Sequence, residues 1–239
     1  MVPFFNEASR WNPEYWDRLN HKNIFLYFVD DGSTDSTVDL LTTVSHAHLV
    51  TLEKNKGKAE AVRFGIYTAL NSGRNFDVVG FLDADGAFET SEVIGITEDA
   101  ASVFAKGFHA IWTSRVKLSG HSIYRTKLRH LIGRIIGAFL ATSLNDFPYD
   151  SQCGFKLYLV GDKMKESFLY QSQTRWFFEL EHLANYGVQN QKLLKIWEVP
   201  LMSWADIKGS KIYSAQSVVI FREILFVYKR LRSLKACLK

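Results

Sequence analysis

Residues 24–35 read IFLYFVDDGSTD, so that six apolar or aromatic residues run directly into an acidic turn. Such a β-branched and aromatic run is typical of a buried strand, and Gly32 lets the chain turn sharply after it. The pattern recurs at residues 77–82, which are followed by the turn DADG at 83–86. In open parallel sheets, ligands bind just beyond the carboxyl ends of the strands. Both acidic turns are therefore candidates for ligand binding.

The segments around these two runs alternate between strand-like and helix-like patterns. This alternation predicts an α/β protein with a parallel sheet and helices on both faces. In the first half, we predict strands at 24–29, 48–52, 77–82 and 110–113, and helices at 36–44, 59–70 and 93–104. In the less regular second half, we predict helices at 123–144, 174–186 and 214–234, and strands at 154–160 and 193–199.

The composition fits one globular chain of 239 residues, of which 47% are hydrophobic and 23% charged. This balance excludes a disordered or low-complexity protein. No apolar run approaches the roughly 20 residues that a spanning helix needs, so we predict no transmembrane helix. Residues 1–7 (MVPFFNE) lack the basic and apolar regions of a secretory signal. The sequence therefore predicts a cytoplasmic protein, and its two cysteines fit a reducing compartment.

The net charge of +4 conceals two basic stretches. Residues 115–144 contain six basic side chains and no acidic one, and residues 213–239 contain six basic side chains and one acidic one. The stretches indicate a local anionic partner, and the candidates are a phosphate, an anionic membrane surface and a nucleic acid. Two solvated helix faces are the alternative. We predict no nucleic-acid binding, because the stretches lack interleaved aromatic residues.

The two carboxylates of the 83–85 turn suggest a metal site. Close carboxylates repel each other unless a cation lies between them. Magnesium is commonly held by one or two carboxylates together with substrate phosphates, so the turn predicts a divalent metal on a diphosphate. An ordinary solvated acidic turn is the alternative. The seven histidines show no ligand spacing, and we predict no zinc site.

Three short motifs follow one another along the chain: DDGS at 30–33, NKGKA at 55–59 and DAD at 83–85. They are preceded by VPFFNE at residues 2–7. In this order, the motifs resemble those of family 2 glycosyltransferases with the GT-A fold. The later blocks DSQCGFKLY (150–158) and RWFFELE (175–181) are similar to dolichyl-phosphate β-glucosyltransferases.

The resemblance extends through Ser203-Trp204 and GSK at 209–211, and it covers about residues 2–212. It implies one GT-A domain at 1–212, with a Rossmann-like, mostly parallel sheet. Within that domain we divide a nucleotide-sugar half, 1–114, from an acceptor half, 115–212. A basic amphipathic helix at 213–239 follows.

The resemblance implies a metal-dependent, inverting transfer of glucose from UDP-glucose to a polyprenyl or dolichyl phosphate. Ala87, where mannosyl-transferring relatives carry a polar residue, favours glucose. Asp83 and Asp85 would hold Mg²⁺ or Mn²⁺ on the diphosphate. The residues implied in donor binding are Pro3, Asn6, Glu7, Asp30, Asp31, Gly57, Lys58, Asp83 and Asp85.

A phosphate acceptor is already anionic at neutral pH, so it needs cations more than it needs a general base. Arg115 and Arg129 match positions that bind lipid phosphate in related transferases. The residues implied in catalysis are Asp85, Arg115 and Glu181. Because Glu179 and Glu181 are two apart on a predicted helix, they face different directions, and we assign Glu181 to the site.

The C-terminal helix can lie in a membrane interface, which predicts a peripheral protein at the inner face of a membrane. Packing of this helix on the domain is the alternative. The family's first strand would already be under way at Val2, and a shortened strand would impair donor binding. Eukaryotic members also carry an N-terminal membrane helix, and this sequence shows none.

Two other functions stay open. The first is transfer to a sugar hydroxyl in polysaccharide or lipopolysaccharide synthesis, with Glu179 or Glu181 as the base. The second is nucleotide-sugar binding without transfer.

Overall fold

The computed structural model describes residues 1–207 and 217–238, apart from the side chains of Arg129 and Ser217. The strands are β1 (Val2–Phe4), β2 (Leu26–Asp30), β3 (Ala47–Thr51), β4 (Val78–Leu82), β5 (Ala110–Ser114), β6 (Ser122–Tyr124), β7 (Phe155–Leu159), β8 (Ile196–Pro200) and β9 (Ser203–Ala205). The helices are α1 (Pro13–Arg18), α2 (Thr37–Leu41), α3 (Lys58–Leu70), α4 (Thr90–Ala105), α5 (Lys127–Ala141), α6 (Asp162–Leu169), α7 (Phe178–Asn190) and α8 (Ser217–Cys237).

The main strands form two hydrogen-bonded groups, β1-β2-β3 and β4-β7-β5-β8, and strands β1 and β4 lie side by side, so that the groups continue one central sheet. The β1-β2-β3 group is parallel throughout, whereas β7 runs antiparallel to both β4 and β5. Met1 joins the two groups, because its N–H donates to the Gly80 carbonyl at 2.8 Å and its carbonyl accepts from the Leu82 N–H at 3.0 Å. The predicted parallel sheet is therefore confirmed, with the exception of β7.

Helices cover both faces of this sheet, as predicted. Successive strand residues point to opposite faces, so Trp112 packs into the cluster formed with α3, α7 and α8, while its neighbour Ile111 packs into the cluster formed with α1 and α4. Burial on both faces explains why the strands read as continuous apolar runs rather than as alternating ones.

The boundary of the long helix predicted at 123–144 was wrong at its start. Residues 122–124 instead form β6, which pairs in parallel with β9, and the helix α5 begins at Lys127. Within β6 only Ile123 is buried, while both of its neighbours are exposed. That alternation of burial is a strand pattern, and three residues are too few to reveal it in the sequence.

The C-terminal helix packs against the domain. Ile224, Val227, Leu231 and Leu234 of α8 are buried, and Leu234 lies so close to Gly187 of α7 that a Cβ there would be 2.6 Å from a Leu234 methyl carbon. The predicted start of the helix and the boundary at 212/213 lie outside the described residues. Within 1–207 and 217–238, no helix is both long and apolar enough to cross a membrane.

Candidate active site

Asp31, directly after β2, fixes the loop that leads into α3. Its carboxylate accepts the N–H groups of Lys56 at 2.7 Å and Gly57 at 2.8 Å, and the Asn55 side-chain amide at 3.0 Å. Burial raises the pKa of Asp31 by more than these hydrogen bonds lower it. We call residues 55–57 the donor loop, after the donor-binding role that the resemblance implies for Gly57. Its position follows from Asp31, whereas the predicted contact of Asp31 with a nucleoside stays a prediction.

Asp30 presents one oxygen that the fold leaves unused. Its Oδ2 accepts the N–H groups of Gly32 at 3.1 Å and Ser33 at 3.0 Å. Its Oδ1 is buried and has no hydrogen-bond partner among the described residues. Gly32 has a φ of +70°, as the predicted sharp turn requires. A buried acceptor without a partner is costly, so this oxygen is suited to a ligand donor.

The end of β1 lies beside the end of β2. Pro3 is in register with Val29, and the Asn6 side-chain oxygen accepts the Thr34 N–H at 2.8 Å. The Glu7 N–H donates to Thr37 Oγ1 at 2.8 Å, and the Glu7 carboxylate forms an ion pair with Arg10. The predicted donor residues at positions 3, 6 and 7 thus share one strand edge with Asp30 and Asp31.

The acidic turn after β4 meets the start of α3. Lys58 Nζ lies 2.6 Å from Asp83 Oδ1, and Asp85 accepts the Ala87 N–H at 3.1 Å. Burial, together with the charge of Asp83, raises the pKa of Asp85. The pKa of Lys58 is also raised, because Asp83 and Glu179 outweigh the opposing effect of burial. The structure therefore brings Lys58, Asp83 and Asp85 together, as the order of the motifs predicted.

These carboxylates fit a hard divalent cation. No group of three or more His, Cys, Asp or Glu side chains that could hold a metal occurs in the described part of the chain. Asp83 and Asp85 alone would supply two protein ligands, and Mg²⁺ in nucleotide enzymes usually completes its shell with water and phosphate oxygens. Asp83 forms an ion pair with Lys58, and Asp85 adds a second carboxylate to the turn, whose pKa is raised first by burial and then by the charge of Asp83.

Gly154, before β7, makes room for the acidic turn. Its carbonyl accepts the Asp83 N–H at 2.9 Å, and a Cβ on residue 154 would lie 2.1 Å from Asp83 Oδ2. No real Cβ contact is that short, so only glycine leaves the carboxylate of Asp83 where it is. Residue 154 belongs to the DSQCGFKLY block, but its role depends on the β4–β7 pairing, which the sequence alone did not reveal.

A buried ion pair lies next to this turn. Lys156 is fully buried, donates to the Cys153 carbonyl at 2.5 Å and has its Nζ 3.6 Å from Glu179 Oε1. Burial lowers the pKa of Lys156, and the nearby charge of Glu179 opposes that effect. The Glu179 Oε2 atom is buried and has no hydrogen-bond partner within the described ranges. The sequence reasoning also missed this pair.

Glu181 binds a neighbouring turn, and its predicted catalytic role stays a prediction. Its carboxylate accepts from Ser172 Oγ at 2.6 Å and from the N–H groups of Gln173 and Thr174 at 3.0 Å. It thereby holds the 172–174 turn, while Glu179 projects toward Lys156. The two glutamates do face different directions, as expected, but the structure places Glu179 rather than Glu181 beside the charged cluster.

Arg115 at the end of β5 is bound to an acid of its own chain. Its Nε and Nη2 atoms lie 2.7 and 2.8 Å from the two oxygens of Asp150. Although burial opposes the effect, this two-point contact with the Arg115 guanidinium lowers the pKa of Asp150 to about 2. Burial and the charge of Arg115 lower the pKa of Arg125, which the sequence reasoning did not select. The predicted phosphate contact of Arg115 stays a prediction, and the side chain of Arg129 lies outside the described residues.

The mostly parallel sheet, with acidic turns at the ends of β2 and β4 and a lysine-bearing loop between them in the chain, has the architecture of the GT-A fold. The model of the family "Glycosyl transferase family 2" matches residues 1–142. The chain therefore belongs to glycosyl transferase family 2, a family of enzymes.

Its curated relatives include dolichyl-phosphate beta-glucosyltransferases. That of Drosophila melanogaster is 32% identical over 241 residues, which cover 89% of this chain and 68% of the relative. That of Trichomonas vaginalis named ALG5C is 28% identical over 228 residues, which cover 89% of this chain. This chain spans only 65% of the length of the Trichomonas protein.

Solved structures agree on the fold. Glucosyl-3-phosphoglycerate synthase from Mycobacterium tuberculosis, in complex with UDP, superposes with a TM-score of 0.65 at 17% identity, covering 96% of this chain and 78% of that one. The same synthase has been crystallised with Mn²⁺, UDP and its product. At this identity, the likeness concerns the fold alone.

Proposed function

We propose that this chain transfers glucose from UDP-glucose to a polyprenyl phosphate such as dolichyl phosphate. The observation that carries the proposal is the meeting of Lys58, Asp83 and Asp85 beside the donor loop. A divalent metal on the two aspartates would stabilise the negative charge of the departing diphosphate. The names of the curated relatives support the sugar and the acceptor.

A phosphate acceptor suits this site better than a sugar hydroxyl. A hydroxyl acceptor needs a general base, but Glu181 is bound to the 172–174 turn and Glu179 is buried beside Lys156. A phosphate needs no base, and Arg115 and Arg125 belong to a stretch of 30 residues without an acidic side chain. Asp150 holds the backbone and the guanidinium of Arg115 in one orientation, which favours recognition of a fixed anion.

The acceptor would be met at a membrane surface, where the protein would bind as a peripheral protein of the inner face. An apolar surface that combines exposed residues of the predicted C-terminal helix with those of α5 supports this proposal. We define the α5/α8 apolar surface by its exposed side chains, Leu128, Leu131, Ile132, Ile135 and Phe139 of α5 and Val218, Val219, Phe221 and Leu225 of α8. The ring of Phe139 stacks on Tyr228, with 4.6 Å between centroids, and so joins the two helices.

A transfer assay tests the proposed function. The protein is incubated with Mn²⁺ or Mg²⁺, labelled UDP-glucose and a short polyprenyl phosphate, with GDP-mannose in a parallel reaction. We expect metal-dependent label in the organic phase from UDP-glucose, and its loss with EDTA or in Asp85→Asn. If UDP binds but no label enters the organic phase, the lipid acceptor is wrong and a hydroxyl acceptor or a non-catalytic protein replaces it.

A further inference from the structure

Glu223 of α8 is a buried carboxylate that binds the backbone of a distant segment. The residue is only 8% exposed. Its two oxygens accept the N–H groups of Arg175 and Trp176, each at 2.9 Å. Hydrogen bonds to an ionised carboxylate are about twice as strong as neutral ones. Glu223 therefore fixes the chain just before α7.

From this fixed backbone, the Arg175 side chain reaches the donor loop. Its Nη2 donates to Asn55 Oδ1 at 3.2 Å. A Cβ placed on Gly57 would lie 3.3 Å from Arg175 Nε, so the guanidinium rests directly on the backbone of the loop. Arg175 is also close enough to Asp31 to oppose the rise in the pKa of that carboxyl.

The surroundings of Arg175 suit an anionic ligand. A cleft of ≈ 280 Å³ opens between the donor loop and the 171–175 segment, and both Lys56 and Arg175 line it. The acid in its lining, Glu60, is bound to Arg63 and is neutralised there. The cleft therefore presents the cationic side chains of Lys56 and Arg175 beside the loop that Asp31 holds.

We infer that Glu223 is a positioning residue of the donor site, which aims Arg175 at the diphosphate of the nucleotide sugar by holding the backbone of residues 175 and 176. The inference rests on the proposed function for the identity of this ligand. It makes α8 a part of the donor site, although α8 lies beyond residues 1–142 of the family match and was predicted to face a membrane.

The effect of Glu223 can be separated from the packing of α8. Removing its carboxylate leaves two N–H groups unsatisfied and frees the backbone that carries Arg175. The apolar contacts of α8 remain. Leu234 lies three turns further along the same helix, is fully buried and packs on Gly187. Leu234→Ala is therefore a matched control that weakens the packing of α8 without touching Glu223.

The first experiment measures UDP affinity by calorimetry for the full chain in the presence of Mn²⁺. We expect Glu223→Ala and Arg175→Ala each to weaken UDP binding about tenfold, which corresponds to about 1.4 kcal/mol. Glu223→Gln, which keeps one acceptor oxygen, should fall between them and the wild type. Because Glu223 acts through Arg175, the double variant should bind UDP no more weakly than Arg175→Ala alone. Leu234→Ala should lower the Tm and leave the affinity unchanged.

A second experiment follows the donor loop without any nucleotide. Hydrogen exchange at the Lys56 and Gly57 amides, which are bonded to Asp31, should be faster in Glu223→Ala and unchanged in Leu234→Ala. The inference would be overturned if Glu223→Ala changed neither the exchange nor the UDP affinity. It would also be overturned if the loss of UDP affinity in the double variant equalled the product of the losses in the two single variants. Either result would leave the proposed function standing. A third outcome is that the wild-type protein binds no nucleoside diphosphate, while Glu223→Ala still exchanges the two amides faster than the wild type. This outcome would overturn the proposed function and the assigned ligand, but not the positioning of the loop.

Discussion

At the scale of single residues, Gly154 is the strictest requirement in the candidate site. A Cβ at this position would come within 2.1 Å of Asp83 Oδ2, so Gly154→Ala must displace the carboxylate and break its ion pair with Lys58. A misplacement of about 1 Å at a reacting centre can cost about 100-fold in rate. We expect a loss of this order in kcat/KM for glucose transfer, measured at saturating metal.

Gly95 provides the control for this substitution. It lies within α4, and among the described residues no atom other than those of its chain neighbours and of the backbone of its own helix lies within 4 Å of the position of its Cβ. Gly95→Ala should therefore retain the wild-type kcat/KM, and its helix should gain up to about 1 kcal/mol. Wild-type kinetics in Gly154→Ala would show that Asp83 has no role at its present position.

The sequence predicted the charged residues of the site better than the residues that support them. Asp30, Asp31, Lys58, Asp83 and Asp85 follow strands or open a helix, so local patterns locate them. The supporting residues act through contacts between segments distant in sequence. Gly154 contacts Asp83 across the β4–β7 pair. Glu223 binds residues 175 and 176, which lie 48 and 47 residues earlier in the chain. No local pattern contains such contacts.

At the scale of elements, the α5/α8 apolar surface is the feature that packing leaves uncovered. Leu131 and Ile135 of α5 are 57% and 61% exposed, and α5 carries cations but no acidic residue. An amphipathic helix of this kind binds anionic lipid surfaces through its apolar side chains and its charge. We expect Ile135→Asp to reduce co-sedimentation with vesicles of phosphatidylcholine and phosphatidylglycerol about tenfold or more, since burial of one such side chain contributes about 1.5–3 kcal/mol.

The control is Val188→Asp on α7, which is 48% exposed and outside the α5/α8 apolar surface. It should bind vesicles as the wild type does, and UDP affinity should be unchanged in both variants. Equal vesicle binding by all three proteins would contradict a lipid partner. A wild-type dimer in solution that Ile135→Asp dissociates would instead identify a second copy of the chain as the occupant.

Helical periodicity could not show which apolar residues of α5 and α8 are exposed. Both sequences have an apolar stripe, and a stripe shows which residues share a face but not what covers that face. In α8, Val227 and Leu231 are buried against the domain, whereas Val218, Phe221 and Leu225 of the same predicted stripe stay exposed. In α5, the stripe stays exposed over most of the helix.

At the scale of the whole molecule, the order of the sheet sets where the site forms. The ends of β2 and β4 lie near each other because β1 lies between them, so the turns after them converge. The alternation of elements predicted the parallel strands that lead into both acidic turns, but not this order of the strands. It did not predict that β7 enters between β4 and β5 in the antiparallel sense, since a strand buried on both faces reads the same in either direction.

A buried histidine links the stability of the whole fold to pH. His182 of α7 stacks on Phe168, with 4.2 Å between ring centroids, and its Nε2 lies 2.7 Å from Ser167 Oγ. Burial lowers its pKa to about 3, and its Nδ1 has no hydrogen-bond partner among the residues described. The folded chain therefore keeps this imidazole neutral at pH values where the unfolded chain protonates it.

The sign of the pH dependence follows from these two states. Below about pH 6.5, the usual pKa of histidine, the unfolded chain binds one more proton than the folded chain, so acid favours unfolding. Above pH 6.5, His182 does not lower the free energy of unfolding. Below pH 6.5, that free energy falls by about 1.4 kcal/mol for each pH unit, down to the folded pKa near 3. At pH 5, the loss amounts to about 2 kcal/mol.

We expect His182→Gln to remove this part of the pH dependence of the free energy of unfolding between pH 7 and pH 5, as measured by urea unfolding. His48→Gln, at an exposed position, should keep the wild-type slope. If His182→Gln also keeps it, the imidazole is charged in the folded protein and its surroundings must hold a counter-charge.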